Sequence, residues 1–316
     1  MPVSESSRAA TVWGWAKLVL GVLAYGFVAL QVISEWDRVS DRLGDASVPW
    51  LVAALVAGTA GMVVIAVGWA YLLDAMGHRR PTVRVASWYF VGEIWKYLPG
   101  GVWPILGRGE IARQHGVPRV VSYTSVLLSL ALLYMAAMVV AAVLLPVALV
   151  AGDVPTVALP ILAVLPVSLA VLHPRLVGWA AVQLKRIRPQ IELPVLSYRQ
   201  MLWAMVQYAP AWVLIGAVTA LAAQAIVPGQ SGWPQIVFAS LLSWVGGFLV
   251  FFLPAGAGVR EAIFIAGSGL DSDAAITVAV VSRLVFIAAD VIGAVVGRVL
   301  EHRAPAASAS LSDSGR

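Results

Sequence analysis

Residues 236–261 read IVFASLLSWVGGFLVFFLPAGAGVRE. The apolar part, 236–252, extends about 26 Å as a helix at 1.5 Å per residue. That falls short of a hydrocarbon core roughly 30 Å thick. It runs into Pro254-Ala255-Gly256-Ala257-Gly258, and Arg260 and Glu261 follow at once. Proline lacks a backbone N–H and glycine tolerates open backbone, so the helix breaks there. The freed polar groups cannot face lipid and must face protein or a wet cavity. A segment too apolar for a loop, too short to cross and closed by a breaker reads as a hairpin that dips into the membrane and returns.

A second stretch repeats the pattern. Residues 85–104 read VASWYFVGEIWKYLPGGVWP. Their apolar part, 85–98, reaches only about 21 Å before Pro99-Gly100-Gly101, with Pro104 and Arg108 close behind. Tyr97-Leu98-Pro99-Gly100-Gly101 and Phe252-Leu253-Pro254-Ala255-Gly256 are each aromatic-Leu-Pro-small-Gly. Broken helices at corresponding places in two halves point to a transporter binding site near the bilayer midplane.

The rest of the 316 residues fits a membrane setting, with 60% hydrophobic and 12% charged. Soluble domains carry about 25% charged residues, so a soluble enzyme, a disordered chain and a nucleic-acid module are excluded. Six stretches are long enough to span: about 12–34, 49–73, 120–150, 154–173, 200–227 and 274–298. The run after Arg8 is too long for a signal-peptide core and lacks a clean cleavage site. It reads as a retained first helix, with Trp13 and Trp15 at the headgroups. The expected fold is all-α and polytopic, about six spanning helices plus two re-entrant broken-helix hairpins in an inverted-repeat arrangement. Residues 1–303 form one membrane domain with pseudo-halves at about 12–150 and 154–300, and 304–316 read as a disordered tail.

Basic residues set the orientation. Arg79, Arg80 and Arg84 precede the first short segment and Arg108, Arg113 and Arg119 follow it, so it enters and leaves on the cytoplasmic side. The 174–199 loop is basic, and the turns near Asp153 and at 228–235 have no Lys or Arg. If the second short segment re-enters from outside, Arg298 and Arg303 lie inside. The 21 Lys and Arg then divide into 15 inside, two outside and four at membrane depth: Lys17, Lys96, Arg260 and Arg283. Both termini are cytoplasmic. The Arg-over-Lys bias with abundant Ala and Val points to a GC-rich bacterial genome, and the expected location is the bacterial inner membrane.

Charges at membrane depth cost at least about 2.5–3.5 kcal/mol at a helix centre, which makes them functional hypotheses by default. Glu93 and Lys96, three apart, share a helix face. Arg283 and Asp290, seven apart, also share one. The expected pairs are Glu93 with Lys96, and Arg283 or Arg260 with Asp290. Arg108 and Arg260 are the expected phosphate ligands, helped by N–H groups near Gly256 and Gly258. Glu93 and Glu261 hold those cations or bind a substrate amine, and Tyr97 borders the site. Asp271-Ser272-Asp273 matches a metal-binding DxD, but its place before an apolar helix reads as an N-cap. There is no cysteine. His78, His115, His173 and His302 are too scattered for a metal site, so neither a metal nor a cofactor is expected.

Two blocks resemble the membrane domain of lysylphosphatidylglycerol synthases and their stand-alone flippase-like relatives. One is Lys96-Tyr-Leu-Pro-Gly-Gly-Val-Trp, then Gly107-Arg108 and Gly116-Val-Pro. The other is Leu253-Pro-Ala-Gly-Ala-Gly-Val-Arg-Glu261, with Arg283 and Asp290 beyond it. The resemblance covers about residues 10–300 and implies movement of a charged phospholipid between leaflets. The synthases add an aminoacyl-transfer domain that the sequence to Arg316 does not contain, so lysyl transfer and enzymatic activity are not expected. Many members carry an acid in the helix after the first block. Residues 122–129 hold none, which leaves Glu93 or Glu110 to supply the charge, or a different substrate. The leading expectation is a flippase-like translocase for a phospholipid or polyprenyl-phosphate-linked envelope precursor, compatible with a homo-oligomer and with no nucleic-acid partner. The alternatives are an intramembrane polyprenyl-phosphate-dependent glycosyltransferase with Glu93 or Glu261 as base, and a non-transporting scaffold of an envelope-synthesis complex.

Overall fold

The computed structural model of the chain describes residues 40, 44–97, 102–151, 164–173, 175–176, 179, 182–183, 186, 194, 196–229, 232–250 and 258–303. Every regular element among them is helical. The order is α1 Val48–Ala75, α2 Thr82–Glu93, a 3₁₀ turn Ile94–Tyr97, α3 Trp103–Gln114, α4 Arg119–Ala151, α5 Val164–Val171, α6 Tyr198–Ile226, α7 Trp233–Leu249, α8 Val259–Gly267 and α9 Ser272–Arg303. Four of these, α1, α4, α6 and α9, are apolar and long enough to cross a membrane, consistent with a polytopic membrane protein. They match four of the six expected spans. The expected helix at 12–34, most of 154–173, both breaks (98–101 and 251–257, Gly256 included) and the tail from Ala304 lie outside the described residues.

Local signals set the helix ends. Pro49 occupies the first turn of α1, where a missing N–H costs nothing. Ser197 and Gln200 form a reciprocal capping box at α6. The Asp271 carboxylate accepts from Ala274 N at 2.9 Å, so the DxD look-alike caps α9 as expected.

Three of the long helices, α1, α4 and α6, are tied by hydrogen bonds that lipid cannot replace. Trp69 Nε1 donates to Ser125 Oγ at 3.0 Å, joining α1 to α4. Ser129 and Tyr208 hydroxyls meet at 2.8 Å, and Trp212 Nε1 donates to the Leu133 carbonyl at 2.6 Å, joining α4 to α6.

The two short helix pairs use opposite ends of this bundle. Arg80 Nη2 donates to the Gly116 carbonyl at 3.3 Å, and the Trp88 and His115 rings lie 4.7 Å apart. The start of α2 therefore sits beside the end of α3, next to the end of α1. At the far end, Ser47 N donates to the Ala225 carbonyl at 3.0 Å. There Leu51, Ala222, Ile236, Phe264 and Ala275 share one apolar cluster. That cluster gathers the start of α1, the end of α6, the start of α7, the end of α8 and the start of α9. The start of α2 and the end of α3 thus lie at one end of α1, and the start of α7 and the end of α8 at the other.

Helix α9 packs against both pairs. Gly293 and Gly297, four apart, bring it against α2: a Cβ on Gly293 would collide with the Phe90 ring, and one on Gly297 would lie 3.0 Å from Ser87 Cα. Small residues at this spacing let helix backbones approach closely in lipid. Gly293→Leu is expected to displace Phe90 and cost about 1–3 kcal/mol by overpacking, read as a lower Tm in detergent. Ile292→Leu, at a position 43% exposed on the same helix, is the control expected to leave Tm unchanged.

Candidate functional site

Tyr97 lies 193 positions from Asp290, yet its hydroxyl donates to Asp290 Oδ2 at 2.5 Å. Lys96 Nζ reaches the same oxygen at 2.7 Å and Glu93 Oε1 at 3.5 Å. The 3₁₀ turn after α2 aligns side chains three apart, so Glu93 and Lys96 face the same way. Arg108 comes from α3. A Cβ on Gly92 would overlap its side chain and lie 3.1 Å from its backbone, so only glycine admits α3 this closely. Arg108 is 2% exposed, with Nε 3.9 Å from Glu93 Oε2 and 3.4 Å from the Pro104 carbonyl. Its guanidinium carbon stands 5.3 Å from the Tyr89 ring centroid.

The second pair brings Arg260 and Glu261. Gly258 adopts φ +82 at the N-terminus of α8, and its N–H donates to Glu261 Oε2 at 2.7 Å. Glu261 Oε1 binds Arg283 Nη1 at 2.5 Å. Ser243 Oγ on α7 donates to the Arg260 carbonyl at 2.7 Å. The Arg260 guanidinium lies over Trp244, 3.6 Å from the ring centroid, and Trp244 packs edge-on against Phe286 at 5.0 Å.

Arg283, Phe286 and Asp290 share one face of α9, as spacings of three and four require. The second pair is held at Arg283 and Phe286, and the first at Asp290, one turn further on. Arg260 and Glu261 line one small cavity with Arg283, which shares that face of α9 with Asp290. The two pairs therefore contribute to one electrostatic cluster, in which four cations (Lys96, Arg108, Arg260, Arg283) face three carboxylates (Glu93, Glu261, Asp290). Among the described residues, Arg260 is the cation of that set with no carboxylate in salt-bridge range.

Three expectations need correcting. Asp290 is held by Lys96 and Tyr97 instead of an arginine, because the 3₁₀ turn Ile94–Tyr97 reaches it. Arg283 pairs with Glu261. The Gly258 N–H, expected to face a phosphate, is consumed by Glu261, which caps α8 in its own first turn. Glu93–Lys96 is present as read. Glu110, the other acid weighed for the first block, sits on the exposed side of α3, where Arg113 binds it at 2.7 and 2.8 Å. Those hydrogen bonds hold its carboxyl down at about 2, outside the cluster.

Sequence reasoning missed Trp244, the floor under Arg260, and a hydroxyl-rich niche beside it. Thr219, Ser240, Ser243 and Ser282 join Arg260 and Arg283 around a cavity of about 20 Å³, room for about one water. Polar residues three apart inside an apolar segment, Ser240 and Ser243, were the available signal. No family model matches the chain, and no curated protein matches it either.

Proposed function

We propose that the chain is a translocase for an anionic lipid, a phospholipid or a lipid-linked envelope precursor, whose phosphate binds Arg260 between two re-entrant hairpins. The observation that carries this reading is Arg260 itself. It is a partly buried cation seated on an aromatic ring in a cluster with one more positive than negative group. A charge held that way calls for an anion. An apolar lip favours an amphipathic ligand over a free ion. Phe248 and Leu249 at the end of α7 are exposed, and so are Val102 and Leu106 of the first pair. Phe248 stacks on Tyr134 at 3.8 Å, so acyl or prenyl chains have a surface beside the phosphate.

In this reading α2–α3 and α7–α8 are the hairpins, entering a bacterial inner membrane from the cytoplasmic and external faces. The bundle end holding Arg80, Arg84, Arg113, Arg119 and Arg298 is cytoplasmic by the positive-inside rule. The end holding Ser47, Asp271 and Asp273 is external, and both termini are cytoplasmic. Because the chain has no cysteine, Arg113→Cys and Ser272→Cys can be labelled singly. The expected result is modification by an impermeant reagent from opposite faces, and modification from one face would overturn this topology.

The function itself is tested in proteoliposomes of phosphatidylcholine and phosphatidylglycerol carrying fluorescent short-chain phosphatidylglycerol. Purified protein is expected to speed exchange between leaflets well above that in protein-free vesicles. Exchange at the protein-free rate would sink the assignment for this lipid class, and the same assay with a polyprenyl phosphate would then decide the other.

A further inference from the structure

Two carboxylates of the cluster share one lysine, and each keeps an oxygen with no hydrogen-bond partner among the described residues. Asp290 is fully buried, and its Oδ1 has no hydrogen-bond partner among the described residues. Glu93 Oε2 is likewise buried without one, with Arg108 at an ion-pair distance of 3.9 Å. A buried polar atom without a partner calls for an explanation, because leaving it so costs about 1–3 kcal/mol or more for charged groups. Packing does not explain it, since an apolar pair would fill the same space without that cost.

We propose that the Glu93–Asp290 pair is a proton-binding site, and that the proton it takes up travels with the anionic substrate held at Arg260. The inference rests on the translocase reading and names its coupling ion. The charged and titratable groups around the pair come from each element of the cluster: Tyr89, Lys96 and Tyr97 on the α2 limb, Arg108 on α3, Tyr134 on α4 and Arg260 on α8. Both carboxylates bind the Lys96 ammonium, at 3.5 and 2.7 Å, so the proton is assigned to the pair and not to one carboxylate. No bond to the substrate forms or breaks. The proton arrives from water on one side and leaves to water on the other.

The sign of the coupling follows from the charges. Arg260 repels a proton arriving at the pair. An anion on Arg260 cancels that repulsion, so anion and proton assist each other, and linkage makes the assistance mutual. Substrate therefore binds more tightly as pH falls. The gain approaches about tenfold per pH unit where the pair titrates, the limit for one coupled proton. A singly charged phosphodiester and one proton move without net charge, so a pH gradient drives the cycle and a membrane potential does not.

Two measurements test this. Infrared pH-difference spectra of the purified protein in lipid are expected to show a protonated-carboxyl band. Asp290→Asn or Glu93→Gln removes it, and Glu110→Gln on the surface leaves it. Absence of the band, or its survival in both cluster variants, overturns the proton site whatever transport does. In proteoliposomes, an imposed pH gradient is expected to accumulate fluorescent phosphatidylglycerol in one leaflet, and a potassium–valinomycin potential is not. At whatever rate it retains, Asp290→Asn exchanges lipid without regard to the gradient. Wild-type exchange indifferent to the gradient overturns the coupling and leaves the translocase reading standing. No wild-type exchange overturns both.

Discussion

Arg260→Ala is expected to bring leaflet exchange in proteoliposomes close to the rate of protein-free vesicles while the protein still inserts and purifies. Arg260 makes no salt bridge that another buried group depends on among the described residues. Its side chain rests on Trp244, and among the described residues its polar tie to α7 is through the backbone carbonyl to Ser243. Truncation leaves that backbone bond in place. The loss falls on the bound anion, for which a charge-assisted hydrogen bond is worth about 1.5–3 kcal/mol. That corresponds to about ten- to hundredfold in affinity. Arg260→Lys keeps the charge and loses the planar stack and the two-pronged donor geometry, so intermediate activity is expected. If Arg260→Ala exchanges lipid like wild type, the phosphate does not bind there.

Asp290→Ala is expected to give the largest loss of stability. It strands Lys96 beside Glu93, with its 2.7 Å partner gone, and removes the acceptor of the Tyr97 hydroxyl. Breaking a buried pair from one side costs about 3–5 kcal/mol, whereas replacing both partners with apolar residues is often neutral. Lys96→Met combined with Asp290→Leu should therefore recover much of the Tm that Asp290→Ala loses in detergent. The double variant should not recover transport. A double variant as unstable as Asp290→Ala would show that the two residues are not energetically coupled. Activity in that double variant would remove the pair from the mechanism.

The helical architecture was legible because hydrophobic length is a strong signal: α1, α4, α6 and α9 fall within a few residues of 49–73, 120–150, 200–227 and 274–298. The charged positions of the cluster were legible because ionised groups are rare in apolar segments. Partner choice was not. Arg283 and Asp290 face the same way, as their spacing required. Which acid meets which base depends on how deep each short helix pair reaches along α9, and no local pattern encodes that depth. Trp244 escaped for the same reason. A tryptophan in an apolar segment is ordinary until the return limb lays Arg260 across it. Gly258 misled because a glycine N–H at a helix start usually awaits an anion, and here Glu261, three residues on, already supplies one.

The long separation between Tyr97 and Asp290 has a consequence for biogenesis. With 193 positions between them and a ribosome adding about 5–20 residues per second, Asp290 emerges about 10 to 40 seconds after Tyr97. Throughout that interval Lys96 has Glu93 beside it but lacks its closer partner at 2.7 Å, Asp290. Docking of the first short helix pair therefore waits on α9, the helix that carries Asp290.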